Sequence, residues 1–276
     1  MSLFIASLNS GSNGNCYYVG NRQEAVLVDA GISCLETEKR MKKLGLSLTK
    51  VKAIFISHEH ADHIRGVEVL SRKHQLPVYI SPKTHLYSRL QLETHLQKSF
   101  QTEETVQIGD LQIKAFSKLH DAADPHSFVI ACNNINVGVF TDIGLACKNV
   151  VRYFKQCHAV FMEANYDDEM LMKGRYPYHL KNRIRGGKGH LSNAQALQVF
   201  AGHRASFMSH LLLSHLSKDN NCPDLVQQLF NPEAKGTEII VASRYRETKV
   251  YHIDGLFTLD SVTAKKAEER MQLSLF

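Results

Sequence analysis

The sequence predicts an α/β sandwich built as a single domain. Short apolar runs, closed by turns rich in Gly, Asn or Asp, recur from residue 3 to residue 253. Segments with helical apolar spacing separate those runs in both halves of the chain. No linker, low-complexity tract or clear repeat cuts the 276 residues, so the two strand-rich halves belong to one unit, residues 1–276.

In order, Leu3 to Leu8 reads as a first strand, followed by the polar turn Asn9 to Asn15. Cys16 to Val19 and Ala25 to Val28 continue an antiparallel meander that ends in Asp29-Ala30-Gly31. Glu36 to Leu44 has Leu35, Met41 and Leu44 at helical spacing, and Gly45 stops it. Val51 to Ile56 is an apolar run of buried-strand type. The pattern then predicts a helix over Ile64 to His74, a strand over Pro77 to Ile80 and a longer amphipathic helix over Lys83 to Phe100. Two hairpins follow, Glu104–Ile108 with Leu111–Phe116 around Gly109-Asp110, and Phe128–Cys132 with Ile135–Phe140 around Asn133-Asn134.

The second half repeats the rhythm more loosely. Val150 to Cys157 reads as a helix and Ala159 to Glu163 as a strand. Asp167 to Arg185 is helical but broken at Gly174 and Pro177. Ser192 to His203 is a helix capped by Ser192 or Asn193. Leu211–Leu213 is a strand, Asp224–Phe230 a helix, and Glu238–Ala242 and Lys249–Ile253 are closing strands. The charged tail Thr263 to Arg270 suits a solvated terminal helix.

Composition narrows the class. Hydrophobic residues make up 43%, enough for a sizeable core. The net charge of +6 permits an anionic partner. Six cysteines without a CxxC pair are expected to be reduced and mostly buried. The start, Met1 to Ser7, lacks the basic and apolar regions of a signal peptide, and no apolar run approaches the ~18 residues of a membrane span. A cytoplasmic protein without a membrane partner is expected.

The densest chemistry is Ser57-His58-Glu59-His60-Ala61-Asp62-His63, directly after the strand Val51–Ile56. His58 and His60 alternate, so on an extended chain they point the same way, while Asp62 and His63 follow as the chain turns into a helix. One subset can therefore face one metal ion and the other a neighbouring ion. A polar loop with coincidental histidines would bury costly unpaired groups. A metal needs further ligands, and three stand just after other strands: His120, Asp142 and His215. Singly, each is as ordinary as any polar residue at a strand end; together with the cluster they are not.

The series His58-x-His60-x-Asp62-His63, His120, Asp142, His215 resembles the ligand series of the metallo-β-lactamase superfamily, in the same order. Asp29 in Leu-Val-Asp-Ala-Gly is similar to that superfamily's first, structural aspartate. Ser10-Gly-Ser-Asn-Gly-Asn15, Glu163-Ala-Asn165, Gly189-His-Leu-Ser192 and Ser214 to Asn221 resemble the YycJ/WalJ subgroup, described as phosphodiesterases or exonucleases, some linked to DNA repair. The resemblance spans essentially the whole chain. It implies an αββα sandwich with the metal site between two sheets. His58, His60 and His120 would hold one ion, Asp62, His63 and His215 a second, and Asp142 would bridge. Asp29 would orient the cluster from behind. Imidazole and carboxylate ligands suit Zn²⁺, Mn²⁺ or Fe²⁺ alike. A hydroxide bridging two ions would be the nucleophile.

The chain departs from the family in one place. His126-Ser127-Phe128 stands where relatives commonly have a Gly before the aromatic, which makes His126 a rival of His120 as third ligand. Beyond the ligands, His190 in Gly187-Lys-Gly-His-Leu-Ser192 is similar to the additional histidine that nuclease-type relatives hold near the leaving group. A positioned imidazole there would protonate a departing sugar oxygen; a helix-start histidine is the plainer reading. Asp62 and His190 are thus the candidate catalytic pair. Lys181, Arg183, Arg185 and Lys188 form a basic stretch beside it that suits a nucleic-acid backbone, or only a solvated helix end. Tyr166, Tyr176 and Tyr178 are available to stack on bases, although core or surface tyrosines are commoner. The Asn9–Asn15 turn could offer N–H groups to a phosphate or serve as a plain connection.

The expected function is a dinuclear-metal phosphodiesterase or exonuclease acting on DNA, or on RNA. A thioester, lactone or β-lactam hydrolase shares the same core, and a non-catalytic metal-stabilised binding protein is the third possibility.

Overall fold

The computed structural model describes residues 2–256; the tail Thr263 to Arg270 lies outside them. In chain order the first half runs β1 (Leu3–Asn9), β2 (Cys16–Gly20), β3 (Ala25–Val28), α1 (Cys34–Lys43), β4 (Val51–Phe55), α2 (Ala61–Ile64), α3 (Val67–His74), β5 (Val78–Tyr79), α4 (Pro82–Ser88) and β6 (Gln97–Lys98). The second half runs β7 (Thr105–Ile108), β8 (Leu111–Ser117), β9 (His126–Cys132), β10 (Ile135–Phe140), α5 (Lys148–Phe154), β11 (Ala159–Glu163), α6 (Asp168–Lys173), α7 (Tyr178–Arg185), α8 (Asn193–His203), β12 (His210–Ser214), α9 (Pro223–Phe230), β13 (Glu238–Val241) and β14 (Tyr251–Ile253).

The strands form two seven-stranded sheets, one from the first half plus the final strand β14, which pairs antiparallel with β1, and one from β7 to β13. The first has the order β14-β1-β2-β3-β4-β5-β6, the second β13-β12-β11-β10-β9-β8-β7. Each is mixed. The meander β1-β2-β3 and the hairpins β7-β8 and β9-β10 are antiparallel, whereas β3 to β6 and β10 to β13 pair in parallel. Parallel pairs need crossover helices, and those helices cover the outer faces.

Three cores follow from that arrangement. Between the sheets, Ile5, Tyr17, Val28 and Phe55 meet Ile113, Phe128, Val139 and Phe161. Outside the first sheet, Met41 of α1 and Val67 and Leu70 of α3 pack on Tyr18, Leu27 and Ile54. Outside the second, Val150 and Phe154 of α5, Phe200 of α8 and Phe230 of α9 pack on Phe140, Val160 and Leu211. The layers are therefore αββα, the expected fold. All six cysteines are free thiols, and Cys16, Cys34, Cys132 and Cys157 are buried. Among the described residues no helix is long and apolar enough to cross a membrane.

Two helical expectations need correction. The helix expected over 83–100 is only α4, which ends where Arg89 turns left-handed (φ 57°). The chain beyond it crosses back as β6, parallel to β5. Leu90, Leu96 and Phe100 are buried from this extended path, while Leu86 is 73% exposed. The helix expected over 64–74 is two pieces that break at Gly66. There the backbone lies against the loop after β3, so that a Cβ would stand 2.0 Å from Ile32 O. Gly66 N donates to Ala30 O (2.8 Å), a bond that fixes the break.

Candidate metal centre

The cluster begins where β4 ends, and its shape is set by the loop after β3. Asp29, in left-handed backbone (φ 60°), turns its carboxylate under the cluster. Its Oδ1 accepts from Ser57 N (2.8 Å), and its Oδ2 accepts from Ser57 Oγ (2.8 Å) and His63 Nδ1 (2.7 Å). Ala30 N donates to His63 O (2.9 Å) and Asn15 N to Asp62 O (2.7 Å), so the short helix α2 is clamped from two sides. Gly31 permits the approach, because a Cβ there would lie 1.6 Å from Asp62 O.

His58 Nε2, His60 Nδ1 and His120 Nε2 converge, with 3.1 Å between the first two and 3.4 Å between the last two. The bonds behind two of the rings fix their tautomers. His58 Nδ1 donates to Ser57 Oγ (2.9 Å), whose own hydrogen goes to Asp29. His120 Nδ1 donates to Gly189 O (3.0 Å). Both Nε2 atoms therefore present bare lone pairs to the same point. Burial keeps these rings neutral. It is the main cause that holds His58 well below the usual histidine range, with the charges of His63 and Lys118 adding to it. It also takes His120 down to about 4.

Beside them stand Asp62, His63 and His215. Asp62 Oδ2 is 3.5 Å from His63 Nε2 and 3.4 Å from His215 Nε2. Burial disfavours charge on these rings, but the surrounding carboxylates outweigh it. Asp142, Asp29 and Asp62 raise His63 to about 10, and Asp142 leads the groups that raise His215 well above its usual value. Asp62 is correspondingly held at about 2, its burial outweighed by His63 and His215. This half of the site demands positive charge, whereas the first half offers lone pairs.

Asp142 lies between the two groups, after β10 and again in left-handed backbone (φ 54°). Its Oδ2 is 3.1 Å from His63 Nε2, and its Oδ1 is 3.5 Å from His215 Nδ1 and 3.9 Å from His120 Nε2. Despite that proximity Oδ2 is buried without a hydrogen bond, a costly state for a carboxylate oxygen. His215, after β12, is the third such strand-end residue (φ 58°). Strain of this kind gathers where side chains must be aimed. Bare imidazole lone pairs facing one another and an unsatisfied buried carboxylate oxygen make a donor set that fits divalent cations.

All seven expected ligands are thus gathered at one place. His126 is not among them: its Nε2 accepts from Thr102 Oγ1 (2.8 Å), its Nδ1 donates to Asp124 O (2.9 Å), and its ring stands edge-on to Phe100. His190 is at the rim, with its side chain 20% exposed and its Nδ1 donating to Glu163 Oε1 (2.7 Å). The basic stretch divides. Arg183 reaches the site's edge through Asp121 (2.5 Å), next to His120. Lys181 and Arg185 are tethered to Met172, through its backbone O and its sulfur, and Lys188 is exposed. Tyr166 is buried and Tyr176 bonds Asp219, which leaves Tyr178 exposed. In the 9–15 turn, the N–H groups of Gly11, Gly14 and Asn15 are used internally or on Asp62, so it supports the centre and is no open phosphate cradle.

Sequence reasoning assigned no role to Glu163, the last residue of β11. Fully buried, it accepts from His190 Nδ1, from His215 Nδ1 (3.1 Å) and from the backbone N of Ile143 (2.7 Å) and Leu191 (3.1 Å). Burial alone would raise its pKa, but His190 outweighs that and holds it at about 2. The same strand-end criterion that singled out Asp142 and His215 would have found it. Lys118 was also overlooked. Its buried ammonium donates to Thr141 O (2.7 Å) next to Asp142.

The model of the "Beta-lactamase superfamily domain" family matches residues 24–215. The exodeoxyribonuclease YycJ of Bacillus anthracis is 37% identical over 82% of this chain and 87% of its own length. The exodeoxyribonuclease WalJ of Streptococcus pneumoniae is 32% identical over 79% and 83%. The metallo-β-lactamase fold protein YhfI from Bacillus subtilis superposes with a TM-score of 0.68 over 91% of this chain and all of that one, at 20% identity. The chain belongs to the metallo-β-lactamase superfamily, alongside YycJ and WalJ, and is a metal-dependent hydrolase.

Proposed function

We propose that the protein is a dinuclear-metal phosphodiesterase that removes nucleotides from the end of a DNA strand. The observation that carries this reading is His190. It stands over the clustered ligands, partly exposed, with one nitrogen held by Glu163. The names of the two curated relatives supply the substrate class.

His58, His60 and His120 would hold one ion and Asp62, His63 and His215 the other, with Asp142 shared. Bound there, the ions supply Lewis acidity toward water and phosphoryl oxygens. The chain's own groups do the rest. Asp62, with 19% of its side chain exposed and its carboxylate kept ionised by His63 and His215, accepts a proton from the attacking water. His190 acts as the imidazolium: its Nδ1–H stays on Glu163, and its Nε2–H passes to the leaving sugar oxygen as the P–O bond breaks, which leaves a neutral imidazole. Arg183, fixed by Asp121, lends positive charge at the rim.

The test is cleavage of end-labelled single- and double-stranded DNA and RNA by the Zn²⁺- or Mn²⁺-loaded protein, beside bis-p-nitrophenyl phosphate and panels of thioesters, lactones and β-lactams. Mononucleotide release from DNA is the expected result. Turnover confined to the carbonyl substrates would refute a phosphodiesterase, and a preference for RNA would reassign the substrate.

A further inference from the structure

A cleft of about 660 Å³ opens beside the metal centre, at the seam where β13, an edge of the second sheet, faces β14, an edge of the first. Its inner end is Ser10, whose Oγ accepts from His215 N (2.7 Å), so the cleft starts one hydrogen bond from a candidate ligand. Its wall is tethered. Ser10 N donates to Ser243 O (3.1 Å), Asn13 Nδ2 to Arg244 O (2.8 Å) and Thr248 N to Ser7 O (3.0 Å).

The lining carries five cations, Lys43, Lys218, Arg244, Arg246 and Lys249, against the single acid Glu247. Lys43 is paired with Glu247, and Lys249 with Glu238 (3.3 Å). Lys218, Arg244 and Arg246 have no acidic partner among the described residues, and Arg244 Nη1 is buried without a hydrogen-bond acceptor. Unpaired cations around a concave surface bind a polyanion. Tyr245, 71% exposed on the same wall, has the Arg244 guanidinium 5.9 Å over its ring, so a base stacked on it would lie next to that cation.

We propose that this cleft holds the phosphate backbone of single-stranded nucleic acid that runs away from the metal centre, with Lys218, Arg244 and Arg246 on phosphates and Tyr245 against a base. The proposal deepens the phosphodiesterase reading and rests on it for the direction of the strand. It puts the main backbone contacts on the 216–218 and 243–249 segments instead of the 181–188 stretch, where Lys181 and Arg185 are tethered to Met172.

The test is fluorescence anisotropy of the metal-loaded full chain with a labelled phosphorothioate dT15, which keeps its charge and resists cleavage, over a salt series. Lys218→Ala/Arg246→Ala is expected to weaken binding about tenfold and to lower the slope of log affinity against log salt by about 1.4, two phosphates' worth. Tyr245→Ala is expected to weaken it about tenfold with the salt slope kept. The Lys181→Ala/Arg185→Ala variant is expected to bind within about twofold of wild type. Wild-type affinity and slope in the first variant, with thermal melts showing it folded, overturn the proposal, as does a wild type that fails to bind. A protein that binds dT15 through the cleft yet cleaves no phosphodiester defeats the phosphodiesterase reading and leaves the cleft standing.

Discussion

Glu163 aims two imidazoles with one carboxylate. Oε1 accepts from both histidines and Oε2 from the backbone N–H groups of Ile143 and Leu191, so the group cannot rotate, and His190 and His215 inherit its position. His190→Ala is expected to keep full metal content by atomic absorption and to lose about 100-fold or more in phosphodiester turnover. Unchanged turnover would remove it from the mechanism. Glu163→Gln replaces an acceptor-only group by one that must turn a donor toward a histidine or a backbone N–H. Metal affinity is expected to fall about 10- to 100-fold, measured by competition with a chromophoric chelator. At this scale the sequence was legible where residue types are rare. Four ligand-type side chains in six positions announce a site, and His120, Asp142 and His215 stand at strand ends in the same way. Glu163 carried the same positional mark, but a lone carboxylate after a strand is common. His126 could be separated from His120 only by seeing its nitrogens bound elsewhere.

At the scale of elements, the site depends on α2, a helix of four residues that could not persist alone. It survives because Asp62 O and His63 O accept from Asn15 N and Ala30 N, and because Asp29 holds His63. Gly31 is the tightest point of that clamp, since a methyl group there meets the Asp62 carbonyl oxygen at 1.6 Å. Gly31→Ala is expected to cost about 3 kcal/mol in denaturant unfolding and to reduce bound metal, because α2 must move and Asp62 and His63 move with it. Wild-type stability together with wild-type metal content would contradict the clamp. Strands were the readable elements, as apolar runs between Gly and Asn turns. The 83–100 segment misled because it contains no Gly or Pro and its leucines fall near helical spacing. Its last part is instead drawn into the sheet by pairing with β5, a tertiary demand that local pattern does not carry. Gly66 is the reverse case, a break that becomes intelligible once Ile32 O is seen against it.

For the whole molecule, what counts is that the candidate ligands come from both sheets. His58, His60, Asp62 and His63 follow β4 of the first sheet, while His120, Asp142 and His215 follow β8, β10 and β12 of the second. The apolar run-and-turn rhythm foretold two strand-rich halves, but not which strands would neighbour each other; only contacts distant in sequence decide that. A bound ion would add a tie between the sheets to the inter-sheet core, the β1–β14 pairing and backbone bonds such as His126 N to Ser57 O (2.9 Å). Metal that binds only the folded state stabilises it by about 4 kcal/mol when free metal exceeds its dissociation constant about 1,000-fold. In a domain of this size that is a rise of roughly 10 °C in Tm. Chelation is therefore expected to lower the melting temperature by about that amount, and resupplied Zn²⁺ or Mn²⁺ to restore it. Because the tie spans the sheets, amide hydrogen exchange should slow on metal addition both in α2 and at the ends of β10 and β12. Protection confined to α2, with Tm unmoved, would mean that the ions sit on the first sheet alone and that His120, Asp142 and His215 are not ligands.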